Sequence, residues 1–308
     1  MREVDEVERQ QKGKRKYSKG AATGFIMVLP TVIGLIALNI YPLFRTVYMS
    51  FFKSGAFGKW NFVGLDNYIK MFQSDSFWTI TKNTLVFMVL TVPVTIIIGL
   101  LIAVLLDKKI KGKTAFRAIY FLPMVVAPAA VAMVWKWLFN SEYGIINMVL
   151  GFLHLPADTN WIADPKTALL TCAIVTIWSS VGYDAILLLS GLQSISRTYY
   201  EAAKIDGATG FQQFRKITVP LVSPTLFFVL MMRVMASLKV FDIIYMMIEK
   251  TNPAIRSAET ILYNFYQETF VKNNKGYGAA LVVWCVALIA IITIIQFIGQ
   301  KKWVTYDV

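Results

Sequence analysis

Long apolar segments separated by polar loops run through the whole sequence, and there are six of them. Each is long enough to cross a bilayer as a helix, which takes roughly 20 apolar residues at about 1.5 Å per residue. The sequence therefore predicts an all-α membrane protein with six transmembrane helices. The predicted spans are residues 22–44, 84–106, 116–139, 167–192, 222–247 and 278–299.

The composition favours a membrane protein over a soluble one. Of the 308 residues, 56% are hydrophobic and 16% are charged, whereas globular domains carry about 25% charged residues. A large soluble core would scatter its apolar residues at helical or strand period, and here they lie in blocks. Several blocks contain prolines (Pro30, Pro93, Pro123 and Pro128), which are tolerated where neighbouring helices satisfy the freed backbone groups.

Lysine and arginine are distributed unevenly between the loops. With the N-terminus inside, the inner segments and the inner end of the third span hold 18 basic residues, and the outer segments hold 10. By the positive-inside rule, both termini are expected in the cytoplasm. Residues 1–21 then form a cytoplasmic basic tail ahead of a single transmembrane domain at 22–308. The net charge of +13 thus reflects topology and anionic membrane lipid, and we expect no nucleic-acid partner.

Residue types needed for catalysis or metal binding are scarce. The only histidine is His154, in an outer loop, so neither a multi-histidine metal site nor a Ser-His-Asp triad can be assembled. Cys172 and Cys285 fall inside predicted spans and are expected as free thiols. The segment IKGKT at 110–114 lacks the first glycine of a phosphate-binding loop. We therefore expect no enzyme, no metal site, no cofactor and no ATP binding by this chain alone.

A polar run between the fourth and fifth spans interrupts the apolar pattern. Residues 198–220 read TYYEAAKIDGATGFQQFRKITVP. Thr198 and Glu201 match a capping box, in which each satisfies a free amide at a helix start, so a short helix is predicted from Tyr199. Gly207 suits the left-handed position that ends such a helix.

A second short helix should follow, because Thr209 and Gln212 repeat the capping pattern. The two helices form a predicted helix-turn-helix at the cytoplasmic mouth of the bundle. Ala202 and Ala203 at the centre of the first helix would let another surface approach its backbone closely. An alternative is a helix pair resting on lipid headgroups, but that would favour large apolar and basic residues over two alanines and Asp206.

This run closely resembles the EAA loop of bacterial ABC importer permeases, which has E-A-A, a glycine four residues after the second alanine, and a final I-x-L-P. The matching residues are Glu201, Ala202, Ala203, Gly207, Ile217 and Pro220, with Val219 in place of the usual leucine. Two positions near the loop and the fifth span depart from the family. Ser196 stands where proline is common, and Lys250-Thr-Asn-Pro253 stands where G-G-P is common.

The resemblance extends over nearly the whole chain. Asp206-Gly207-Ala208, LPTVIGLIALNIYPLFRTVYMSFF at the first span, FVGLDNYIKMF in the first outer loop and KVFDIIYMM in the fifth span are similar to the carbohydrate-importing branch. Within that branch the chain resembles the MalF/UgpA-like subunit. The resemblance implies a non-catalytic transmembrane permease subunit of an ATP-driven carbohydrate importer, located in the bacterial cytoplasmic membrane.

Partners and coupling residues follow from the same resemblance. It implies a second, MalG-like permease, two cytoplasmic ABC ATPase subunits, an extracytoplasmic sugar-binding protein and a sugar substrate. In such permeases the loop sits in a cleft of the ATPase, which implies a coupling role for Glu201, Ala202, Ala203, Asp206 and Gly207. Capping alone is the alternative role for Glu201.

Polar side chains inside the fourth and fifth spans mark a candidate substrate path, since they are costly unless they face a cavity or a partner. The candidates are Trp178, Ser180, Tyr183, Asp184, Arg233, Ser237 and Lys239. Positions matching Ser180, Tyr183, Arg233 and Ser237 line the path in the related permeases. Two assignments stay open: Arg233 either contacts substrate or pairs with Asp184, and Trp178 either packs between helices or supports a sugar ring. Lys239 and Asp242 are expected to pair or to snorkel.

Two alternative functions remain at this stage. An importer of the same class could carry an anionic substrate such as a sugar acid or glycerol phosphate, because Arg233 and Lys239 are basic. A stand-alone secondary carrier belongs to a different class, and it would favour inverted internal repeats, of which the sequence shows no clear sign.

Overall fold

The computed structural model describes residues 23–54, 59–108 and 112–306, so the predicted basic tail at 1–21 lies outside the described residues. In chain order the elements are α1 (Thr23–Met49), β1 (Phe52–Ser54), β2 (Trp60–Phe62), α2 (Asp66–Gln73), α3 (Asp75–Asp107), α4 (Lys113–Val125), α5 (Pro128–Leu138), α6 (Ile145–Phe152), α7 (Ala168–Ser194), α8 (Arg197–Ile205), α9 (Gly210–Leu238), α10 (Asp242–Met247), α11 (Ile255–Ala258), α12 (Ile261–Tyr266) and α13 (Lys275–Gln300). Single π-helical turns lie within α1 (Ile36–Ile40) and α9 (Phe214–Thr218), and another follows α12 (Gln267–Val271).

Five helices of the described chain, namely α1, α3, α7, α9 and α13, are long and apolar enough to cross a membrane. The pair α4 and α5 adds a sixth crossing if the two count as one bent span. The helical membrane architecture expected from the six apolar blocks is therefore present. The structure also contains an antiparallel pair of strands, β1 and β2, with Phe52 opposite Phe62. The sequence analysis did not predict this pair, because strands of three residues leave little pattern in a sequence.

The third predicted span, 116–139, is wrong as a continuous helix. It is broken into α4 and α5, whose axes differ by 97°. Val126 and Ala127 between them are extended, with ψ of 137° and 133°. The cause is Pro128, because a residue before proline is driven out of the α region and proline itself is accepted at the first turn of a new helix.

The fifth predicted span, 222–247, also fails as one helix. The α9 helix ends at Leu238, and α10 begins after a break at Lys239 to Phe241. Contacts from other segments satisfy carbonyls at this break: Thr260 Oγ1 donates to the Val240 carbonyl at 2.9 Å. A side chain twenty residues further along therefore stabilises the break, and neither proline nor glycine marks it in the sequence.

The core is built around α7, which contacts α3, α4 and α9. Small residues allow these helices to approach closely. A Cβ on Gly182 of α7 would collide with the Tyr120 carbonyl of α4, so the two backbones are in direct contact there. A Cβ on Gly99 of α3 would meet the Asp184 Cβ at 3.2 Å.

The hydrophobic clusters show that α3 and α7 run in the same direction. Leu106 at the end of α3 packs in one cluster with Leu192 and Val222. Phe87, nearer the start of α3, packs in another cluster with Ala168 and Ile248. The start of α3 and the segment after α10 therefore lie at the end of the molecule opposite to the loop 198–220.

Candidate functional site

A cavity of about 330 Å³ with both apolar and polar side chains in its lining lies where the break between α4 and α5 meets α7 and α9, and it is called the central cavity below. It is lined by Pro123, Met124, Val126, Pro128, Val131, Thr176, Ser179, Ser180, Arg233, Ala236, Lys239, Val240, Phe241, Asp242 and Ile243. A smaller cavity of about 70 Å³ shares Thr176, Ser180 and Arg233 with it and adds Ser237. The two helix breaks and two long helices thus create a space between apolar helices that charged and hydroxyl side chains enter.

Arg233 and Asp184 form an ion pair between α9 and α7. Arg233 Nε donates to Asp184 Oδ1 at 2.7 Å, and the side chains are 16% and 1% exposed. The pairing alternative of the sequence analysis is therefore confirmed as a contact. A buried pair of this kind avoids leaving either charge uncompensated in a low dielectric.

Arg233 also remains available to the cavity. Only its Nε donates to a described residue, and the guanidinium lies 5.7 Å from the centre of the Tyr183 ring. Arginine carries five N–H donors in a fixed plane, so its other donors can serve a ligand. The second carboxylate oxygen of Asp184, Oδ2, is buried without a hydrogen-bond partner in the described chain.

The other predicted path residues divide into two groups. Ser180, Ser237 and Lys239 line one or both cavities. Tyr183 and Trp178 line neither cavity, and Tyr183 lies beside the Arg233 guanidinium instead. Trp178 packs edge to face against Trp135 at 5.5 Å between ring centres. That contact favours the packing alternative for Trp178.

The expected pairing of Lys239 with Asp242 does not occur. Both side chains line the central cavity, and no ion pair joins them. Because the break after Leu238 turns α10 away from α9, residues three apart here do not lie on one helix face. Both side chains are exposed, as snorkelling would require.

Sequence reasoning missed several lining residues. Thr176 and Ser179 of α7 face the central cavity, as do Val126 and Val131 near the break between α4 and α5. The spacing of Thr176 and Ser180, four residues apart on one helix face, was a usable signal. The pair Pro123 and Pro128 inside one predicted span was another, because two prolines so close favour a broken helix.

The loop 198–220 is a helix-turn-helix, although it begins differently from the prediction. The capping box at Thr198 and Glu201 is wrong: α8 begins at Arg197, and the Ser196 side chain caps it by accepting from the Thr198 amide at 3.4 Å. Glu201 makes no side-chain hydrogen bond or ion pair in the described chain, so capping does not explain it. Ser196, which stands where the sequence analysis noted that proline is common, is thus the residue that caps α8.

The turn and second helix agree with the sequence. Gly207 has φ of 75°, in the left-handed region where glycine is favoured. Thr209 and Gln212 form the predicted capping box at the start of α9. Tyr200 and Thr218 share a hydrogen bond of 3.1 Å, which fastens α8 to the following helix.

Much of the surface of the loop 198–220 is exposed to solvent. Ile205 is 88% exposed and Phe211 is 71% exposed, on either side of Gly207. Glu201 and Ala202 are exposed as well, and nothing lies within 4 Å of a Cβ placed on Gly207. The loop therefore presents a small-residue turn flanked by two apolar side chains that no described residue covers.

Comparison with known proteins gives the family. Residues 95–304 match the model of the binding-protein-dependent transport system inner membrane component. The chain is 33% identical over 284 residues to the trehalose/maltose transport system permease protein MalF of Thermococcus litoralis, covering 92% of this chain and 94% of that one. It is 32% identical to the sn-glycerol-3-phosphate transport system permease protein UgpA of Agrobacterium fabrum, covering 92% and 96%.

Solved structures agree at the level of the fold. The chain superposes on a chain of a bacterial ABC transporter for the acidic polysaccharide alginate with a TM-score of 0.81 at 23% identity, covering 93% of this chain and 98% of the other. With the match over residues 95–304 and a relative 33% identical across nine tenths of its length, this chain belongs to the family of binding-protein-dependent transport system inner membrane components.

Proposed function

We propose that the chain is the transmembrane permease subunit of an ATP-driven carbohydrate importer and that it has no catalytic activity of its own. The observation that carries this proposal is the central cavity between α4, α5, α7 and α9, which serine, arginine and lysine side chains line, in a chain whose relatives include permeases named for maltose and lactose transport. Hydroxyl donors and acceptors at Ser179 and Ser180 beside the Arg233 guanidinium suit a polyhydroxylated substrate.

A neutral sugar is better supported as cargo than an anion. Arg233 is compensated by Asp184 at 2.7 Å, and Lys239 shares the cavity lining with Asp242. The described lining therefore has no excess positive charge to offset an anionic substrate. Relatives named for glycerol phosphate and sulfoquinovosyl glycerol transport keep the anionic alternative as the one to test against.

We further propose that the loop 198–220 couples the permease to a cytoplasmic ATPase. Glu201, Ala202, Ala203, Asp206 and Gly207 would form the docking surface, with the exposed Ile205 and Phe211 beside it. Small residues permit close approach, and two exposed apolar side chains on a short loop suit burial in a cleft of another protein. Both termini would then be cytoplasmic, and residues 22–308 would act as one permease domain.

The proposed assembly also includes a second MalG-like permease, two ATPase subunits and an extracytoplasmic sugar-binding protein. A bacterial cytoplasmic membrane is the proposed location. A related solved structure contains a periplasmic binding protein carrying an alginate pentasaccharide, which supports the last partner by analogy.

Uptake into liposomes containing the complete assembly tests the function. Accumulation of a radiolabelled neutral disaccharide should require ATP on the side of the membrane where the ATPase lies, the binding protein and an intact ATPase. Uptake that persists after removal of the ATPase would instead indicate a stand-alone carrier. Uptake of glycerol phosphate or glucuronate in preference to every neutral sugar would favour the anionic alternative.

A further inference from the structure

A second polar cavity, of about 570 Å³, lies at the end of the molecule opposite to the loop 198–220 and is called the distal pocket below. It is formed by the start of α3 and by the segment from Lys250 to Lys272. It shares no lining residue with the central cavity. In the proposed orientation this end faces the outside of the cell, where substrate arrives.

The walls of the distal pocket are fastened to one another. Asn83 Nδ2 of α3 donates to the Glu259 carbonyl at 3.1 Å. Thr84 Oγ1 accepts from the Ile261 amide at 3.1 Å. These bonds join α3 to the segment between α11 and α12, so the pocket does not depend on a ligand for its shape.

Basic side chains supply hydrogen-bond donors at the pocket. Arg256 and Lys250 line it, and neither has a carboxylate within 4.0 Å in the described chain. Lys250 lies over the Tyr245 and Tyr266 rings, at 5.8 and 5.7 Å from their centres. Lys272 also lines the pocket but is paired with Glu268 at 2.7 Å.

Acceptors and amides face the same space. Glu259 is partly buried and its carboxylate has no hydrogen bond or ion pair within the described residues. The Asn264 side chain is likewise without a described hydrogen bond. The buried amide nitrogen of Gln267 lies near the Tyr263 hydroxyl but forms no hydrogen bond of good geometry to any described group.

We propose that the distal pocket is a binding site for a neutral saccharide, separate from the central cavity. A sugar hydroxyl both donates and accepts, so it matches a wall where the Glu259 carboxylate stands among arginine, lysine and amide donors. An apolar ligand would leave these charged groups desolvated and unpaired. Because Lys250 and Arg256 are unpaired beside the single carboxylate Glu259, an anion is the competing ligand that the test must compare. The volume is within the range of ligand pockets, about 300–1,000 Å³.

This inference rests on the proposed import function and adds a saccharide contact at the entrance of the path. The site would receive sugar before it reaches Ser180 and Arg233. Because Glu259 and Asn264 lie outside both the central cavity and the loop 198–220, their roles can be tested separately from transport and coupling.

The test uses the complete transporter in nanodiscs without the binding protein. Saturation-transfer difference NMR would measure the binding of maltose, trehalose and lactose as neutral probes and of glucuronate as the acidic probe. At least one neutral disaccharide should bind, and tighter binding of glucuronate than of every neutral probe would overturn the neutral-saccharide assignment. Glu259→Ala should weaken neutral-sugar binding about tenfold or more, since hydrogen bonds to a charged group are the stronger kind. Asn264→Ala should weaken it as well.

Two controls keep the outcome specific. Asp66→Asn removes a carboxylate from an exposed pair with Lys70, outside the pocket, and should leave binding unchanged. Ser180→Leu fills the central cavity, so the binding that remains in this variant is that of the distal pocket, and Glu259→Ala and Asn264→Ala are also made in this background. Thermal denaturation of each variant would establish that the assembly is folded.

The proposal is overturned if none of the three neutral disaccharides binds. It is also overturned if no neutral disaccharide binds to Ser180→Leu, or if the binding to Ser180→Leu is unaltered when Glu259→Ala and Asn264→Ala are added to the folded protein. ATP-driven uptake on the same preparations separates the two levels of the argument. ATP-driven uptake without sugar binding at the distal pocket would contradict only this inference. Absence of ATP-driven uptake would contradict the proposed function.

Discussion

The buried ion pair between α7 and α9 gives a quantitative prediction. Replacing Arg233 with methionine leaves the Asp184 carboxylate, 1% exposed and with Oδ2 already unpartnered, without its cation. Breaking a buried pair in this way costs about 3–5 kcal/mol. The converse change, Asp184→Asn, should cost less, about 1–3 kcal/mol, because Arg233 is 16% exposed and keeps contact with the cavity and with the Tyr183 ring.

The two costs should not add. Once Asp184 is neutral, removing the Arg233 charge no longer strands a carboxylate, so the double variant should be more stable than the sum of the single changes by about 1–3 kcal/mol. At about 2 °C per kcal/mol for a chain of this size, Arg233→Met should lower the unfolding midpoint by about 6–10 °C.

The chain supplies its own reporter for this measurement. Cys172 and Cys285 are both free and buried, so a thiol-reactive dye reports their exposure on heating. Lys136→Gln is the matched control, since it breaks a pair with Glu249, which is 73% exposed, and should cost about 0–1 kcal/mol. Equal losses for Arg233→Met and Lys136→Gln, or additive losses in the double variant, would refute the reasoning.

Three further predictions concern single positions. Gly207→Val should abolish uptake while ATP hydrolysis and membrane insertion persist, because a β-branched residue is strained at φ of 75°. The control is Gly210→Val, where φ is negative and the space is equally open, and this variant should take up more sugar than Gly207→Val. Equal uptake by the two variants would contradict the coupling role. Gly182→Ala should cost about 1–3 kcal/mol by forcing α4 away from α7, whereas Gly34→Ala, with nothing within 4 Å, should not destabilise; the same dye assay compares them. Burial raises the pKa of Glu259 above 4.5, so the folded chain binds more protons there than the unfolded chain, and the free energy of unfolding should fall as pH rises from 4.5 towards the raised value. Glu259→Gln should remove that slope, and an unchanged slope in denaturation at several pH values would assign it to other groups.

The helix count and the loop were accessible from the sequence because their signals are local. Apolar block length gave the spans, and Gly207 and the pair Thr209 and Gln212 gave the turn and the start of the following helix. The start of α8 was wrong because two residues, Ser196 and Thr198, compete for one cap position, and local pattern does not decide between them.

The candidate site was only partly accessible, because a cavity is a property of several segments at once. Polar residues in the predicted spans indicated that some side chains face the interior of the bundle, and Ser180, Arg233 and Ser237 do line cavities. Trp178 failed the same reasoning, since its helix position could not reveal Trp135 as its neighbour.

By itself the sequence determined that this chain is a bundle of membrane helices with an exposed helical turn after α7. Those features depend on the length of apolar segments, on capping residues and on glycine. Their contributions to the free energy come from residues close together in the sequence. Tertiary structure alone decided the break after Leu238, the pairing of Arg233 with Asp184 from the two alternatives, and the existence of the central cavity and the distal pocket. Each of those depends on groups distant in sequence, because a carbonyl freed at a break or a charge inside a span is stable only when another segment supplies its partner.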